Sequence, residues 1–261
     1  MLMTNYYEEK ILNVFKGVSA TAPANMYLGL LTVLPTGNSD GTEISYSGYA
    51  RQRVTFDAPS KNSELYGTGK VGTKNSANIR FPEASVNVGN VVGVGVYDSL
   101  SGGNLYLYVP NAEALPVGAG QQPEIQAGNI TLWSDGNFSE DFAKQMINLL
   151  RGNTITGLPA YIGLSYQGTE LTGDNYSRKK ITFGDIAQGS NNQATMKNNS
   201  VVEFNIPTTS WGLWDGVIIG NTDDIYMISP LLDVSGQPMT LTLKAGFYPY
   251  VNPENITITV N

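Results

Sequence analysis

The chain has 261 residues, of which 41% are hydrophobic, and a formal net charge of −7. It contains no cysteine and no histidine, which excludes disulfides, thiolate metal sites, cysteine nucleophiles and a histidine general base. The negative charge disfavours nucleic acid as a partner, and no apolar run approaches the roughly 20 residues needed to insert across a membrane.

The first predicted element is an amphipathic helix over residues 4–17. Its apolar residues recur at spacings of three and four, its first turn is acidic and its last turn carries a lysine. A second helix of this kind is predicted over residues 139–152, where Ser139 can cap the first turn. Each apolar stripe must be covered by the sheet of its own domain, which we favour, or by a neighbouring subunit.

Short strands follow the first helix, separated by turn-rich segments. The predicted strands are residues 26–33, 51–56, 77–81, 91–97, 104–109 and 126–133. Residues 60–74 are rich in Gly, Ser and Lys, and we predict a surface loop or a flexible contact arm there.

One segment of the chain occurs twice. Gly41-Thr42-Glu43, followed by Tyr49, Arg51 and Phe56, is matched by Gly168-Thr169-Glu170, followed by Tyr176, Arg178 and Phe183, and 168−41, 176−49 and 183−56 all equal 127. Further matches lie upstream and downstream at offsets from 123 to 135. The sequence therefore predicts a tandem duplication, with strands of the second copy at 200–206, 216–220, 225–228, 239–243 and 255–260.

Many short strands with one helix per copy predict a mainly β protein. The expected fold is two tandem antiparallel β-sandwich, jelly-roll-like domains, each with one N-terminal amphipathic helix. The predicted domains are residues 1–133 and 138–261, joined by a linker at residues 134–137. The linker is too short to let the domains move far apart.

An ordered set of motifs in the first half resembles a family of bacteriophage structural proteins usually labelled phage tail fibre proteins. The motifs are the helix ending in Gly17, Tyr27-Leu28-Gly29-Leu30, Pro35-Thr36, Asp40-Gly41-Thr42-Glu43, Ser47-Gly48-Tyr49-Ala50-Arg51, Val54-Thr55-Phe56, Phe81-Pro82-Glu83-Ala84 and Gly102-Gly103-Asn104-Leu105. A typical member is one domain about the size of half this chain. The resemblance covers residues 3–133 and implies a virion component that acts through assembly.

The duplicated segment holds two acid and arginine pairs. Glu43 and Arg51 are eight residues apart, as are Glu170 and Arg178. We predict a structural ion pair within each domain. The alternative is that Arg51 and Arg178 reach acidic groups on neighbouring subunits.

Aromatic residues in loops are the other candidates. Tyr46, Tyr66 and Trp214 are predicted contacts for a partner or a glycan, whereas Trp211 is expected in the core. Paired carboxylates for glycoside hydrolysis lack any motif, and Asp223-Asp224 or Asp40 with Glu43 lacks the spacing of a calcium loop. We predict no catalytic residue, no metal and no cofactor.

These observations favour a non-enzymatic bacteriophage virion protein of the tail or fibre apparatus, made in the host cytoplasm. We expect it to assemble symmetrically with itself, a trimer being favoured because three duplicated chains supply six similar domains, and with other virion proteins. The alternatives are a capsid-surface or collar decoration protein, a host-glycan-binding module and, least favoured, a glycan depolymerase.

Overall fold

The computed structural model of the chain describes residues 2–36, 39–134, 138–157, 159–189, 193–233 and 235–260. Strands make up 42% and helices 10% of it, in several antiparallel sheets, which confirms the mainly β prediction.

The first half begins with a short strand and a helix and continues as strands. Its elements are β1 (Leu2–Met3), α1 (Asn5–Phe15), β2 (Met26–Val33), β3 (Thr42–Glu43), β4 (Gln52–Val54), β5 (Ser60–Lys61), α2 (Ser63–Tyr66), β6 (Val71–Lys74), β7 (Ile79–Arg80), β8 (Gly89–Tyr97), β9 (Leu105–Val117), β10 (Glu124–Ile125) and β11 (Thr131–Trp133).

The second half also begins with a long helix and continues as short strands. Its elements are α3 (Glu140–Leu149), β12 (Tyr161–Tyr166), β13 (Thr169–Glu170), β14 (Lys179–Lys180), β15 (Ala187–Gln188), β16 (Ala194–Lys197), β17 (Val202–Glu203), β18 (Gly212–Trp214), β19 (Gly216–Gly220), β20 (Ile225–Pro230), β21 (Leu241–Leu243), β22 (Tyr250–Val251) and β23 (Thr257–Val260).

Each half has one larger sheet and several small ones. The larger sheets have the strand orders β1-β9-β8-β2-β3, with β4 also on β2, and β13-β12-β19-β20, with β14 also on β12. Described strands outside these sheets form two- or three-stranded antiparallel ladders. The predicted jelly-roll sandwiches are not confirmed, and the division into many small sheets suggests a propeller-like arrangement.

The two halves use different residues at the turn that closes the central hairpin. Between β8 and β9, Gly102 and Gly103 adopt positive φ angles of 62° and 69°, which glycine tolerates without strain. Between β19 and β20, the Asn221 side chain instead accepts hydrogen bonds from the amides of Asp223 (2.7 Å) and Asp224 (2.6 Å). The side chain of Asn221 thus fixes this turn without glycine.

The segment 60–74 is more ordered than we predicted. It contains β5, α2 and β6, and β6 pairs with both β5 and β11. Asn62 caps α2 by accepting from the amides of Glu64 and Leu65. The segment is therefore neither a plain loop nor a free arm, because Val71 and Thr73 are buried in β6.

The two long helices begin as the sequence predicts but are covered in a way that it did not predict. Ser139 caps α3 by accepting from the Phe142 amide (3.2 Å), whereas Thr4 uses its hydroxyl on β9 instead of capping α1. Helix α1 packs on β9 of its own half and on β16 and β23 of the other half. Helix α3 packs on β20 of its own half and on β6 of the other half.

Because each helix reaches into the other half, most of the core is continuous. Buried residues of both halves form one hydrophobic cluster, including the contact of the Phe15 and Phe142 rings, whose centroids are 5.2 Å apart. The buried Tyr7 hydroxyl also donates to the carbonyl of Met146 across this contact (2.6 Å). Ser134 of the predicted linker is described and buried, while residues 135–137 lie outside the described residues.

The contacts between the halves are reciprocal. Ala20 and Ile155 exchange two backbone hydrogen bonds, of 2.9 and 3.0 Å. The Ala22 amide donates to Thr154 Oγ1 (3.1 Å) and the Gly157 amide to Ser19 Oγ (3.0 Å), and 154−19 and 157−22 both equal 135. Each contact thus occurs twice, with the roles of the two halves exchanged. Such reciprocity is typical of a two-fold relation.

Two basic side chains make similar contacts between the halves. Lys16 Nζ donates to the carbonyl of Gly184 (3.1 Å), and Arg151 Nε donates to the carbonyl of Phe56 (3.2 Å). Lys16 and Arg151 are again 135 residues apart. Each helix thus ends with a cation held by a backbone carbonyl of the other half.

Candidate functional site

Arg51 lies at the centre of a polar cluster in the first half. Its guanidinium forms a salt bridge with Glu43 (Nη2 to Oε2, 2.9 Å), and Nη1 donates to the carbonyls of Ser99 (2.8 Å) and Gly102 (2.6 Å). Its carbon Cζ lies 3.4 Å from the centre of the Tyr97 ring, in cation–π contact. Arg51 therefore connects β3 to the turn between β8 and β9.

Arg178 makes the corresponding contacts in the second half. It forms a salt bridge with Glu170 (Nη2 to Oε2, 2.8 Å), and Nη1 donates to the carbonyls of Asn221 (2.6 Å) and Asp224 (3.0 Å). The hydrogen bond with Glu170 is the main cause of a raised pKa at Arg178. The arginine thus joins β13 to the turn between β19 and β20.

A tyrosine completes each cluster. The Tyr49 hydroxyl donates to Glu43 (2.7 Å) and accepts from the Leu30 amide (2.9 Å). In the second half, Tyr176 donates to Glu170 (3.0 Å) and accepts from the Leu164 amide. Burial is the main cause that raises the pKa of both tyrosines, and it raises the pKa of Tyr97 to about 12, so all three phenols stay protonated at neutral pH.

Glycines make room for the two carboxylates. A Cβ added to Gly29 would lie 2.5 Å from Glu43 Oε1, and one added to Gly163 would lie 2.7 Å from Glu170 Oε1. Both distances are too short for non-bonded atoms. Gly29 of the Tyr27-Leu28-Gly29-Leu30 motif and Gly163 at the corresponding place in the second half therefore leave the space that the neighbouring carboxylate occupies.

The two clusters hold strands and turns together. Each carboxylate accepts hydrogen bonds from an arginine and a tyrosine, and each arginine also satisfies two turn carbonyls. Such an acid is poorly placed to transfer a proton or attack a substrate. Little of either guanidinium is exposed, since the Arg51 and Arg178 side chains are 10% and 13% accessible, which leaves small room for an acid of another subunit.

The aromatic residues predicted as contacts are mostly buried. Trp214 is 4% exposed and its Nε1 donates to the carbonyl of Gly216 (2.8 Å), while Tyr66 is 6% exposed and lies against Gly72. Neither ring can stack on a ligand, which corrects the prediction for both. Tyr46 is half-buried and donates to the carbonyl of Pro82 (2.6 Å). Trp211 lies in the core, as we expected.

The prediction missed a buried acid, Glu8 on α1. It is fully buried, and neither carboxylate oxygen has a hydrogen-bond partner among the described residues. Burial raises the pKa of Glu8 to about 7. The nearby Ala194 backbone lowers this pKa by a smaller amount, although it makes no hydrogen bond of good geometry with the Glu8 carboxylate. The corresponding residue of α3 is Ala143, 135 positions later, which packs on Val71.

A cleft opens in the second half beside β12, β19 and β20. Its volume is about 560 Å³, and its lining includes Ser165, Asp215 and Phe138. Ser165 occupies the position of Leu31, and its buried hydroxyl has no partner among the described residues. Polar and apolar groups meet in this cleft, but no recognisable catalytic arrangement is present among its lining residues.

Metal binding and membrane insertion are two further properties that bear on function. The described residues contain no group of three or more acidic residues that could hold a metal ion. Among them, no helix has the length and apolarity that a membrane crossing demands.

Comparison with known proteins identifies a family. Residues 2–133, which are 132 of the 261 residues, match the family model described as Podophage GP4 fiber I protein gp80. No curated protein matches the chain. The matched range covers the first cluster and ends at β11.

Proposed function

The chain belongs to the family described as Podophage GP4 fiber I protein gp80, and from this premise we propose that it is a non-enzymatic structural component of a phage fibre that acts by symmetric assembly. Family membership implies a phage fibre structural protein located in the virion. The observation that supports a structural role most directly is that both arginine clusters are internally saturated, which suits rigid scaffolding.

We also propose that the chain is a tandem duplication of the family's domain, with its halves at residues 1–133 and 138–261. The equivalent contacts of Arg51 and Arg178 support this, as do Asn75 and Asn198. Asn75 Oδ1 accepts from the Ile130 amide and Asn198 Oδ1 from the Ile256 amide, at 2.8 and 2.9 Å. Such matched buried hydrogen bonds depend on matched backbone paths.

For the assembly, we propose a homo-oligomer, with a trimer favoured, bound to other virion proteins. Three duplicated chains supply six similar units. Because the halves of one chain are related by a reciprocal contact, these six units do not form a head-to-tail ring of six. Such a trimer fits a three-fold position on the particle.

Sedimentation of the purified chain tests the assembly. A trimer supports the proposal, whereas a stable monomer or a pentamer contradicts it. Immunogold labelling of intact particles then separates the tail or fibre from the alternatives of a collar or a capsid-surface decoration. Label on the capsid surface would contradict the fibre position while leaving the structural role intact.

A further inference from the structure

Two equivalent turns, one in each half, carry very different surfaces. The turn before β10 reads Gln121-Gln122-Pro123-Glu124, and the turn before β22 reads Phe247-Tyr248-Pro249-Tyr250, at a constant offset of 126. Three polar positions of the first half are thus aromatic in the second half.

The backbone shows that these turns correspond. The Gln121 amide donates to the Gly118 carbonyl, and the Phe247 amide to the Lys244 carbonyl. In the same way the Phe81 amide donates to Pro123 (2.9 Å), where Phe204 donates to Pro249 (3.0 Å) in the other half. Gly120 and Gly246 precede these turns with the same φ of 78°.

The aromatic side chains of the second turn point into solvent. Phe247, Tyr248 and Tyr250 are 39%, 46% and 50% exposed, whereas Pro249 between them is buried. The Tyr248 and Tyr250 ring centroids are 6.2 Å apart with the planes inclined by 36°. The Tyr248 and Tyr250 rings therefore lie side by side at the surface, and we call these two residues and the exposed Phe247 the aromatic platform.

The charged groups beside the two turns also differ. In the first half, Glu124 forms an exposed salt bridge with Arg80 (2.9 Å). In the second half, the residue that pairs with Tyr250 is Glu203, and its carboxylate raises the pKa of the Tyr248 hydroxyl. Glu203 therefore lies beside the rings.

We propose that Phe247, Tyr248 and Tyr250 form a binding platform for a neutral saccharide. Aromatic rings with hydroxyl tips match a sugar, whose ring has apolar C–H faces and hydroxyl edges. An exposed aromatic patch on a folded protein marks a contact site. Glu203 adds a hydrogen-bond acceptor for sugar hydroxyls beside the rings.

The size of the platform favours a saccharide over a protein. An aromatic side chain has about 150–250 Å² of surface, so three rings that are roughly half exposed offer on the order of 300 Å². A stable protein interface buries about 800 Å² on each partner. The platform is large enough for two or three sugar units and too small to hold a protein alone.

The first half supplies the test variant. The triple substitution Phe247→Gln, Tyr248→Gln and Tyr250→Gln places the first-half residues at 247 and 248. Position 250 receives a neutral residue, because a glutamate there would face Glu203, so the variant should fold. Binding is measured by electrophoresis in native gels containing dextran, mannan or xyloglucan, and on an array of neutral oligosaccharides. Thermal melting and sedimentation are measured on the same samples.

We expect the full chain to bind at least one of these saccharides and the triple variant to lose at least tenfold in affinity, with unchanged melting and sedimentation. The matched control, Gln121→Ala with Gln122→Ala and Glu124→Ala, should bind as the original chain does. Adding Gln121→Phe, Gln122→Tyr and Glu124→Tyr to the triple variant should restore binding.

Three results would overturn the proposal. The proposal is wrong if the original chain binds none of the probes, or if the triple variant binds them equally well. A change in the sedimentation of the triple variant would instead identify the platform as a protein interface. The last result would still be compatible with a structural fibre role, so the two proposals fail separately.

Discussion

At the scale of single residues, the arginine clusters explain why the same motif occurs twice. Arg51 and Arg178 each bind one acid and two carbonyls of a turn that is distant in sequence. A side chain of this kind stabilises long-range pairing more than local structure. Its removal leaves a partly buried carboxylate and two carbonyls without their donor.

We therefore predict that Arg51→Ala destabilises the chain by on the order of 3 kcal/mol, measured by urea denaturation. The matched control is Arg80→Ala, because the Arg80–Glu124 bridge is exposed and its loss should cost less than about 1 kcal/mol. If Arg51→Ala unfolded normally but no longer self-associated, Arg51 would be a contact to another subunit.

Glu8 gives a prediction about pH. Its pKa is raised from 4.5 to about 7 in the folded chain. The stabilisation from its neutral form is therefore complete below pH 4.5 and is lost as the pH rises through 7. We expect Glu8→Gln to remove a loss of about 3 kcal/mol between pH 5 and pH 8, measured as the free energy of unfolding.

The strands that pack on α1 contribute few other groups to this pH range. Their described titratable side chains are Tyr106, Tyr108, Glu113 and Lys197. Glu113 is exposed, and Lys197 is paired with Glu254 at the surface. Burial raises the pKa of Tyr106 further above neutrality. A pH dependence that persists unchanged in Glu8→Gln would show that another group is responsible.

At the scale of elements, the two helices provide a natural comparison. Ala143 on α3 packs on Val71 of β6, and the corresponding pair is Glu8 on α1 with Ala194 of β16, since 194−71 equals 123 and 143−8 equals 135. The first contact is apolar, whereas the second holds a buried acid above a smaller residue. Compared with the first pair, the second pair has a larger side chain on the helix and a smaller one on the strand.

We predict that Glu8→Ala with Ala194→Val gives a chain that is more stable than the original at pH 8, because it introduces the apolar pair of the other helix. Glu8→Ala alone should be less stable than the double variant, since it leaves a cavity. Differential scanning calorimetry at pH 5 and pH 8 measures both. Equal stability of the single and double variants would show that the two helix contacts are not equivalent.

Much of this element structure was predictable. The helices follow from the spacing of Ile11 and Leu12 with their apolar neighbours, and the larger sheets from alternation around Leu28 and Leu164. The exchange of the helices was not, because an amphipathic stripe shows that a face is buried but not against which sheet. Trp214 and Tyr66 were misjudged for a similar reason, since aromatic burial is decided by tertiary packing.

The aromatic platform could have been found from the sequence. The offset of 126 that aligns Asn129 with Asn255 also aligns Gln122 with Tyr248. A comparison of the copies for differences, and not only for matches, would have revealed it. The cleft beside Ser165 required the structure, because a serine in a strand does not indicate an empty space.

At the scale of the whole molecule, the reciprocal contacts make the two halves interdependent. We predict that residues 1–133 and 134–261, produced as separate chains in one cell, purify as a complex. Each fragment alone should expose the sheet that the other helix covers, and should aggregate or pair with itself. Size-exclusion chromatography of the separate and combined fragments measures this. A monomeric, cooperatively melting fragment of either half would contradict the interdependence.

Because each helix packs on strands of the other half, the order of synthesis affects folding. Helix α1 is synthesised before one of its partners, β23, and the two are far apart in the chain, since 257−15 equals 242. The apolar stripe of α1 must therefore wait while the residues between them are translated, so the nascent chain is a natural client for a chaperone. Slowing elongation should lengthen that exposure and lower the yield of soluble protein.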